Sequence, residues 1–372
     1  MSLNIHTISP SNVVRGNDAW SKSLESISKL TSRPLIIGRS QSTKEIRTYF
    51  KKDLLLKGLQ PFSFDLLHDC CESDIKDACQ FSKNNNCDGI ISAGGGKVLD
   101  AGKLIADLLN INCITVPLSA STCAGWTALS NIYSPEGKFI KDVSLKRCPD
   151  LLIFDHNIVR TAPKRTLASG ITDAIAKWYE SSLTSSTSQD GFVQQAVQMA
   201  RVLRDQLFLN GHQAIEDPKS NSWKIVAEGC ALTAGIIGGL GGARCRTAAA
   251  HPIHNGLTQL DYINKPLHGE LVGFGLLIQL HLEEKNSNSQ LPKQAKSQLI
   301  NFLSKLDIPI SMEYLSLKNA TPNELLRACK FACKSDSDIH HLPFQVNEKT
   351  LLDALQSYQT FHANSNIIVN KI

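Results

Sequence analysis

The sequence predicts an α/β half built on a parallel sheet, followed by an all-α half. Two observations carry this. Up to about residue 160, short β-branched or apolar runs alternate with amphipathic stretches, and beyond Ala162-Pro163 only long helical periodicities remain. A third, the length of 372 residues, exceeds what one core usually fills. We therefore expect two domains, 1–160 and 161–372.

Residues 34–38, Pro-Leu-Ile-Ile-Gly, are apolar throughout and end in glycine, as suits a strand buried on both faces. A helix is expected over 42–56, a weaker strand at 62–67, a helix over 72–84 and a second buried strand at 88–93. Helix 98–109 and strand 114–116 continue an order that calls for parallel strands with helices on both faces. Periodicity is lost over 119–137 in small and polar residues, and Ile132-Tyr133 with Phe139-Ile140 suggest a hairpin. The last strong strand is 151–155. Helices are then expected over 167–183, 191–209, 223–238, 270–284, 292–306, 322–334 and 350–362.

Composition excludes several classes. Hydrophobic residues make up 42% and charged residues 20%, so the chain has enough apolar matter for packed cores and is not a disordered one. The longest apolar candidate, 271–282, is interrupted by Gln279 and His281, so no membrane partner is expected. The start, Met-Ser-Leu-Asn-Ile-His, has no basic stretch leading into an apolar one, and we expect a cytoplasmic protein. The net charge of +5 forms no basic stripe interleaved with aromatics, so nucleic acid is not an expected partner. Eleven cysteines read as reduced thiols; neither Cys70-Cys71 nor the Cys329 and Cys333 pair has a second pair at zinc-site spacing.

Four stretches have the residue types that chemistry needs. His251, His254 and His268 fall within eighteen residues, and on a helix His251 and His254 share a face. Imidazoles this dense point to a metal or a substrate, although spacing alone weighs a chance surface grouping equally. Ser92-Ala-Gly-Gly-Gly-Lys97 lies between a strand and a helix, where free backbone N–H groups and the helix dipole suit a pyrophosphate. It is neither the dinucleotide fingerprint nor a P-loop, and a tight turn without a ligand is the competing reading. Thr115 to Thr122 supplies hydroxyls after the next strand, where open α/β sheets bind ligands; by itself it reads as a solvated loop. Asp173 stands among Ile171, Ala174, Ile175 and Trp178, so it needs a partner unless it caps the helix start.

Together these motifs resemble the metal-dependent, iron-containing alcohol dehydrogenases, and the glycerol dehydrogenase branch most. The resemblance rests on residues 92–103, Ala120-Ser-Thr122, residues 128–133, Gly170-Ile-Thr-Asp-Ala174, residues 251–258 and His268-Gly-Glu270, in the same order and spacing, with a counterpart even for Ile339-His340-His341-Leu342-Pro343. It implies a Rossmann-like N-terminal sheet in a dehydroquinate synthase-like architecture. It implies that Asp173, His251 and His268 hold one divalent metal, zinc or iron, and that His254 lies beside substrate and nicotinamide as a proton-transfer candidate. It matches Gly95, Gly96, Lys97, Asp100, Ser119, Ser121, Thr122, Thr127, Leu129 and Tyr133 to the binding of NAD or NADP, and places Gly38 and Arg39 where relatives meet the cofactor's ribose. The reaction implied is exchange of a hydride between a small-molecule alcohol or carbonyl substrate and the nicotinamide, in a homo-oligomer.

Three departures bear on detail. NAD-preferring relatives have an acid after the first strand, where this chain has Gly38-Arg39-Ser40; an arginine suits a 2′-phosphate, so NADP(H) is expected. Glycerol dehydrogenases read Ala-Ser-Thr-Asp-Ala-Pro where this chain has Cys123 after Thr122, and a thiol cannot accept from two substrate hydroxyls, which disfavours glycerol. Arg244 and Arg246 stand where relatives have small residues; a guanidinium at the site would suit a 2-oxo acid or a phosphorylated polyol, and solvent or a neighbouring subunit is the other destination. A dehydroquinate synthase-like lyase is the alternative of a different class, and the motifs match it less well.

Overall fold

The computed structural model describes residues 6–369 apart from 186, 263 and 318, with backbone alone over 360–369. Its strands are β1 (Asn12–Gly16), β2 (Pro34–Gly38), β3 (Phe62–Asp65), β4 (Gly89–Gly94), β5 (Asn112–Pro117), β6 (Leu129–Tyr133), β7 (Phe139–Ser144) and β8 (Leu151–Asp155). Helices α1 (Ala19–Lys22), α2 (Leu24–Leu30), α3 (Lys44–Leu56), α4 (Glu72–Asn84), α5 (Gly96–Leu109) and α6 (His156–Val159) are interleaved with them. The remainder is helical: α7 (Lys164–Thr184), α8 (Gly191–Glu216), α9 (Asn221–Glu228), α10 (Ala234–Gly241), α11 (Ala250–Leu257), α12 (His268–Lys285), α13 (Leu291–Ser304), α14 (Pro322–Ala332) and α15 (Glu348–Val369).

Six strands form one parallel sheet in the order β1-β8-β5-β4-β2-β3, and β6 with β7 make the expected hairpin. Alternation along the strands builds two cores. Leu35, Ile37 and Ile90 face α4, α5 and the hairpin, while Ile36, Ile91 and Ile114 face Trp20, Phe50 and Leu54 on the other side. Strand β1, which was not expected, is an edge strand with only Val13 and Val14 between polar neighbours, and its pairing with β8 supplies what its sequence lacks.

Asp88 fastens the head of β2 to β4. It accepts from Thr31 Oγ1, from Ser32 N and Oγ, and from Arg33 N at 2.8 Å. Burial raises its pKa, but these donors outweigh that and hold it at about 2. A carboxyl depressed on folding stabilises the fold above its unfolded value near 4 and loses that contribution as pH falls toward 2. Asp88→Asn should therefore melt below the wild type at pH 7, with the gap closing between pH 4 and 2 in a pH series of thermal melts.

Two compact units result, one of residues 1–167 with 218–240, the other of 168–217 with 241–372. A single boundary near residue 160 leaves out the return of 218–240. That return is packed side by side with the α/β elements: a Cβ on Gly235 would meet Trp126 Cγ at 2.4 Å, and Glu228 pairs with Arg15 and, at 2.8 Å, with His156. The helix expected over 223–238 is broken by a π turn, Gly229–Thr233, and helix 191–209 continues to Glu216. The stretch Asn221–Gly241 has the length and apolarity of a membrane span, yet 61% of its apolar window is buried inside the protein.

In the second unit α12 is the central element, buried from Gly269 to Leu282. Its glycines set how closely its neighbours come. A Cβ on Gly269 would lie 1.8 Å from Ser169 O, one on Gly273 would lie 2.5 Å from Thr172 Cγ2, and one on Gly275 would lie 2.5 Å from Ala250 O. Helices α7 and α11 thus rest against α12 nearly backbone to backbone. Thr321 and Glu324 close the start of α14 as a capping box, with Pro322 in its first turn.

Candidate active site

The close contacts of α12 bring a carboxylate and two imidazoles to one place. Asp173 lies on α7, His251 in the first turn of α11, and His268 at the first position of α12. Their ligating atoms all lie within 4.8 Å of one another. His251 Nε2 is 3.3 Å and His268 Nε2 3.4 Å from the same oxygen, Asp173 Oδ1. Burial raises the Asp173 pKa, but hydrogen bonds from both imidazoles hold it well below the usual carboxylate range.

Each imidazole is also held from behind. His251 Nδ1 is 2.5 Å from Glu180 Oε2, and His268 Nδ1 is 3.0 Å from His254 Nε2. His254, itself buried, has its Nδ1 2.8 Å from Asn255 Oδ1. Behind the two rings one tautomer assignment fits: His268 donates from Nδ1 to His254 Nε2, His254 donates from Nδ1 to Asn255, and His251 donates from Nδ1 to Glu180, so that a cation replacing the Nε2 protons that face Asp173 would meet both Nε2 lone pairs. Burial pushes the His251 pKa down, but the Glu180 charge overrides it and the imidazole rises to about 9.

Glu180 and Gln279 were not singled out from the sequence. The N-cap position of α11 is Ala249, which has no side chain to offer, so its first amides need partners elsewhere. Glu180 Oε1 accepts from Ala248 N and His251 N, and Gln279 Oε1 accepts from Ala249 N and Ala250 N. The missed signal was the spacing of Asp173 and Glu180, seven apart and so on one face of α7. Glu180→Gln retains an acceptor but removes the charge behind His251. It should weaken divalent metal binding by about 10- to 100-fold in competition with a chelating dye.

The residues matched to a cofactor fall in the first unit. Gly95 is the N-cap of α5, and an added Cβ there would meet only Ser119 Oγ, at 3.9 Å. The helix N-terminus therefore opens on free space, which fits a phosphate. A Cβ on Gly96 would lie 2.7 Å from Thr122 Oγ1, so the glycine turn and the hydroxyl loop are neighbours; Ser119 Oγ and Ser121 Oγ are 3.1 Å apart, and Cys123 follows them. Lys97 lies 4.4 Å over the Tyr133 ring and pairs with Asp69, which also binds Arg39. Asp69 is buried and was missed, because nothing in its local sequence announces that two cations meet on it. Asp100 is buried and tied to Lys103 at 2.9 Å and Asn131 N at 3.2 Å, while Lys103 holds the carbonyls of Thr127 and Leu129. That ion pair anchors the hairpin. The side chain of Arg47 covers Gly38, where a Cβ would lie 2.1 Å from Arg47 Nε.

A second cluster, His68, Cys71 and Asp74, also has donor atoms within 4.8 Å. Asp74 there accepts from His68 N at 2.7 Å and contacts His68 Nδ1 at 2.9 Å and the Cys71 thiol at 3.4 Å, a network that closes the start of α4.

Residues 10–156 match the family model described as iron-containing alcohol dehydrogenase. An uncharacterized oxidoreductase of Synechocystis sp. is 44% identical over 94% of this chain and 90% of its own length. A glycerol dehydrogenase of Escherichia coli is 30% identical over 90% of this chain and 91% of its own. The chain belongs to the iron-containing alcohol dehydrogenase family. The crystal structure of glycerol dehydrogenase from Schizosaccharomyces pombe superposes with a TM-score of 0.86 at 26% identity, covering 99% of this chain and 94% of that one. The dehydroquinate synthase-like architecture expected from the sequence holds, and the protein is an oxidoreductase of CH–OH donors whose family uses NAD(P) and a divalent metal.

Proposed function

We propose that this family member is a zinc- or iron-dependent dehydrogenase of a small alcohol or polyol, with Asp173, His251 and His268 as the ligands of its ion and NADP(H) as its preferred cofactor. The observation that carries the reading is the donor set. Two bonds of about 2.0–2.1 Å meeting at a tetrahedral angle set their donor atoms about 3.4 Å apart, close to the 3.3 and 3.4 Å between Asp173 and the two imidazoles. One carboxylate and two imidazoles leave coordination positions open for a substrate oxygen. When bound, the ion supplies Lewis acidity and the nicotinamide takes or gives the hydride. Glu180 and His254 fix the rings of His251 and His268, and Asn255 in turn holds the ring of His254, the candidate for proton transfer with the substrate. The Gly95-Gly96 turn with Ser119 and Thr122 would receive the cofactor phosphates, and Cys123 would lie toward the substrate, where it offers no carboxylate for glycerol's hydroxyls.

Arg39 supports NADP(H). Its guanidinium uses one nitrogen on Asp69, is about half exposed and keeps further donors for a 2′-phosphate. The eleven cysteines are all free, as suits a reducing cytoplasm; we expect a homo-oligomer there.

The test is a screen of diols, aldehydes and 2-oxo acids with NADPH and NADH, zinc and ferrous ion each supplied. Turnover should require one bound ion per chain; protein that takes up no ion, or is active without one, sinks the metal assignment. Arg39→Ala should shift the kcat/KM ratio about tenfold toward NADH, and a wild type that already prefers NADH removes the NADP(H) part. Release of phosphate from a sugar-acid phosphate would favour the lyase.

A further inference from the structure

Lys177 is a buried cation that the metal site does not need. It stands one turn beyond Asp173 and about one turn before Glu180 on α7, so the three share a face, and it is only 5% exposed. Among the described residues it has no ion pair, and its ammonium makes one long hydrogen bond, to the carbonyl of Arg246 at 3.4 Å. An ammonium taken out of water without a counter-ion is costly, and structural lysines escape that cost by pairing. Two other buried lysines of this chain do so: Lys103 with Asp100, and Lys296 with Glu284. The charge of Lys177 reaches Asp173, His251 and the Cys245 thiol. Beside a divalent cation it is repulsive, so it does not serve to hold one. Arg246 is half-buried, and its guanidinium has no partner among the described residues. A buried ammonium without a carboxylate within ion-pair distance thus rests on the main chain of Arg246, beside the proposed ion seat.

We infer that Lys177 is the seat of a substrate carboxylate, so that the substrate class is a 2-hydroxy acid and its 2-oxo acid. This rests on the proposed reading of Asp173, His251 and His268 as the ion's ligands. A carboxylate on the carbon next to the reacting one is held by the lysine while the substrate's oxygen faces the metal seat. A neutral alcohol leaves the ammonium buried and unpaired, which makes discrimination steep.

The experiment uses zinc-loaded protein and two readouts. Oxamate, an unreactive 2-oxo acid analogue, is titrated by calorimetry, and kcat/KM is compared for 2-oxobutyrate and the neutral 1-hydroxy-2-butanone. Wild-type protein should bind oxamate and prefer 2-oxobutyrate. Lys177→Met should weaken oxamate binding about 30-fold and lower the kcat/KM ratio of acid to ketone by a similar factor, whereas Lys177→Arg should retain most of both. Zinc content and melting temperature of each variant separate loss of the anion seat from loss of the metal or the fold; if Lys177→Met loses its zinc, the comparison of Lys177→Arg with Lys177→Gln decides. Oxamate affinity unchanged by loss of the charge, or no preference for 2-oxobutyrate over the ketone, overturns the inference. Reduction of the ketone without oxamate binding would overturn it alone. Lys177-dependent oxamate binding without turnover of either carbonyl would instead remove the dehydrogenase reading and leave the anion seat.

Discussion

Asp173→Asn should lower kcat/KM by on the order of 10⁴-fold, because it removes the only negative charge among the three proposed ligands and with it the Lewis acid, an effect of several kcal/mol. Asparagine is almost the same size and can still accept from His251 or His268, so the fold should survive. Bound metal measured after dialysis should fall from about one per chain toward zero, while circular dichroism and the unfolding midpoint stay near wild type. Full metal content in this variant would refute the ligand assignment; full metal content with lost activity would move Asp173 to a catalytic role without coordination.

Gly269→Ala should produce the second large effect, and with a sign that helix propensity would not give. In an open helix position the change to alanine stabilises by up to about 1 kcal/mol. Here the new methyl would lie 1.8 Å from Ser169 O, main chain of the helix that holds Asp173. Relief requires α12 to move from α7 by more than an ångström, with overpacking that costs about 3 kcal/mol in denaturant titration. His268 is the adjacent residue, so the same movement displaces a ligand, and kcat/KM should fall about 100-fold. Gly191→Ala is the control: at the start of α8 an added Cβ meets nothing within 4 Å, and that variant should be as stable as the wild type or slightly more so.

Strands β2, β4 and β8 were legible because a strand buried on both faces is apolar at every position, and the long helices because their apolar stripes recur over several turns. β1 was not, since an edge strand of five residues takes its stability from β8. The site divides in the same way. Asp173, His251 and His268 have residue types rare enough, in motifs dense enough, to be found one by one. Glu180, Gln279 and Asp69 are ordinary surface types in a sequence, and their roles appear only once a distant segment brings them an unpaired amide or a cation. Arg244 and Arg246 could not be told apart by sequence; in the structure Arg244 is exposed and Arg246 half-buried.

The fastening of α11 to its two neighbours bears on how such a protein can diversify. Four successive amides, from Ala248 to His251, end on Glu180 and Gln279, and the glycines of α12 press main chain against main chain. The proposed ion seat is therefore specified by a few positions that cannot change singly, while residues beside it whose side chains receive no amide, such as Lys177, are free to be exchanged. New substrates can then be reached by altering those residues one at a time, with the metal-binding apparatus passed on unaltered through each intermediate sequence.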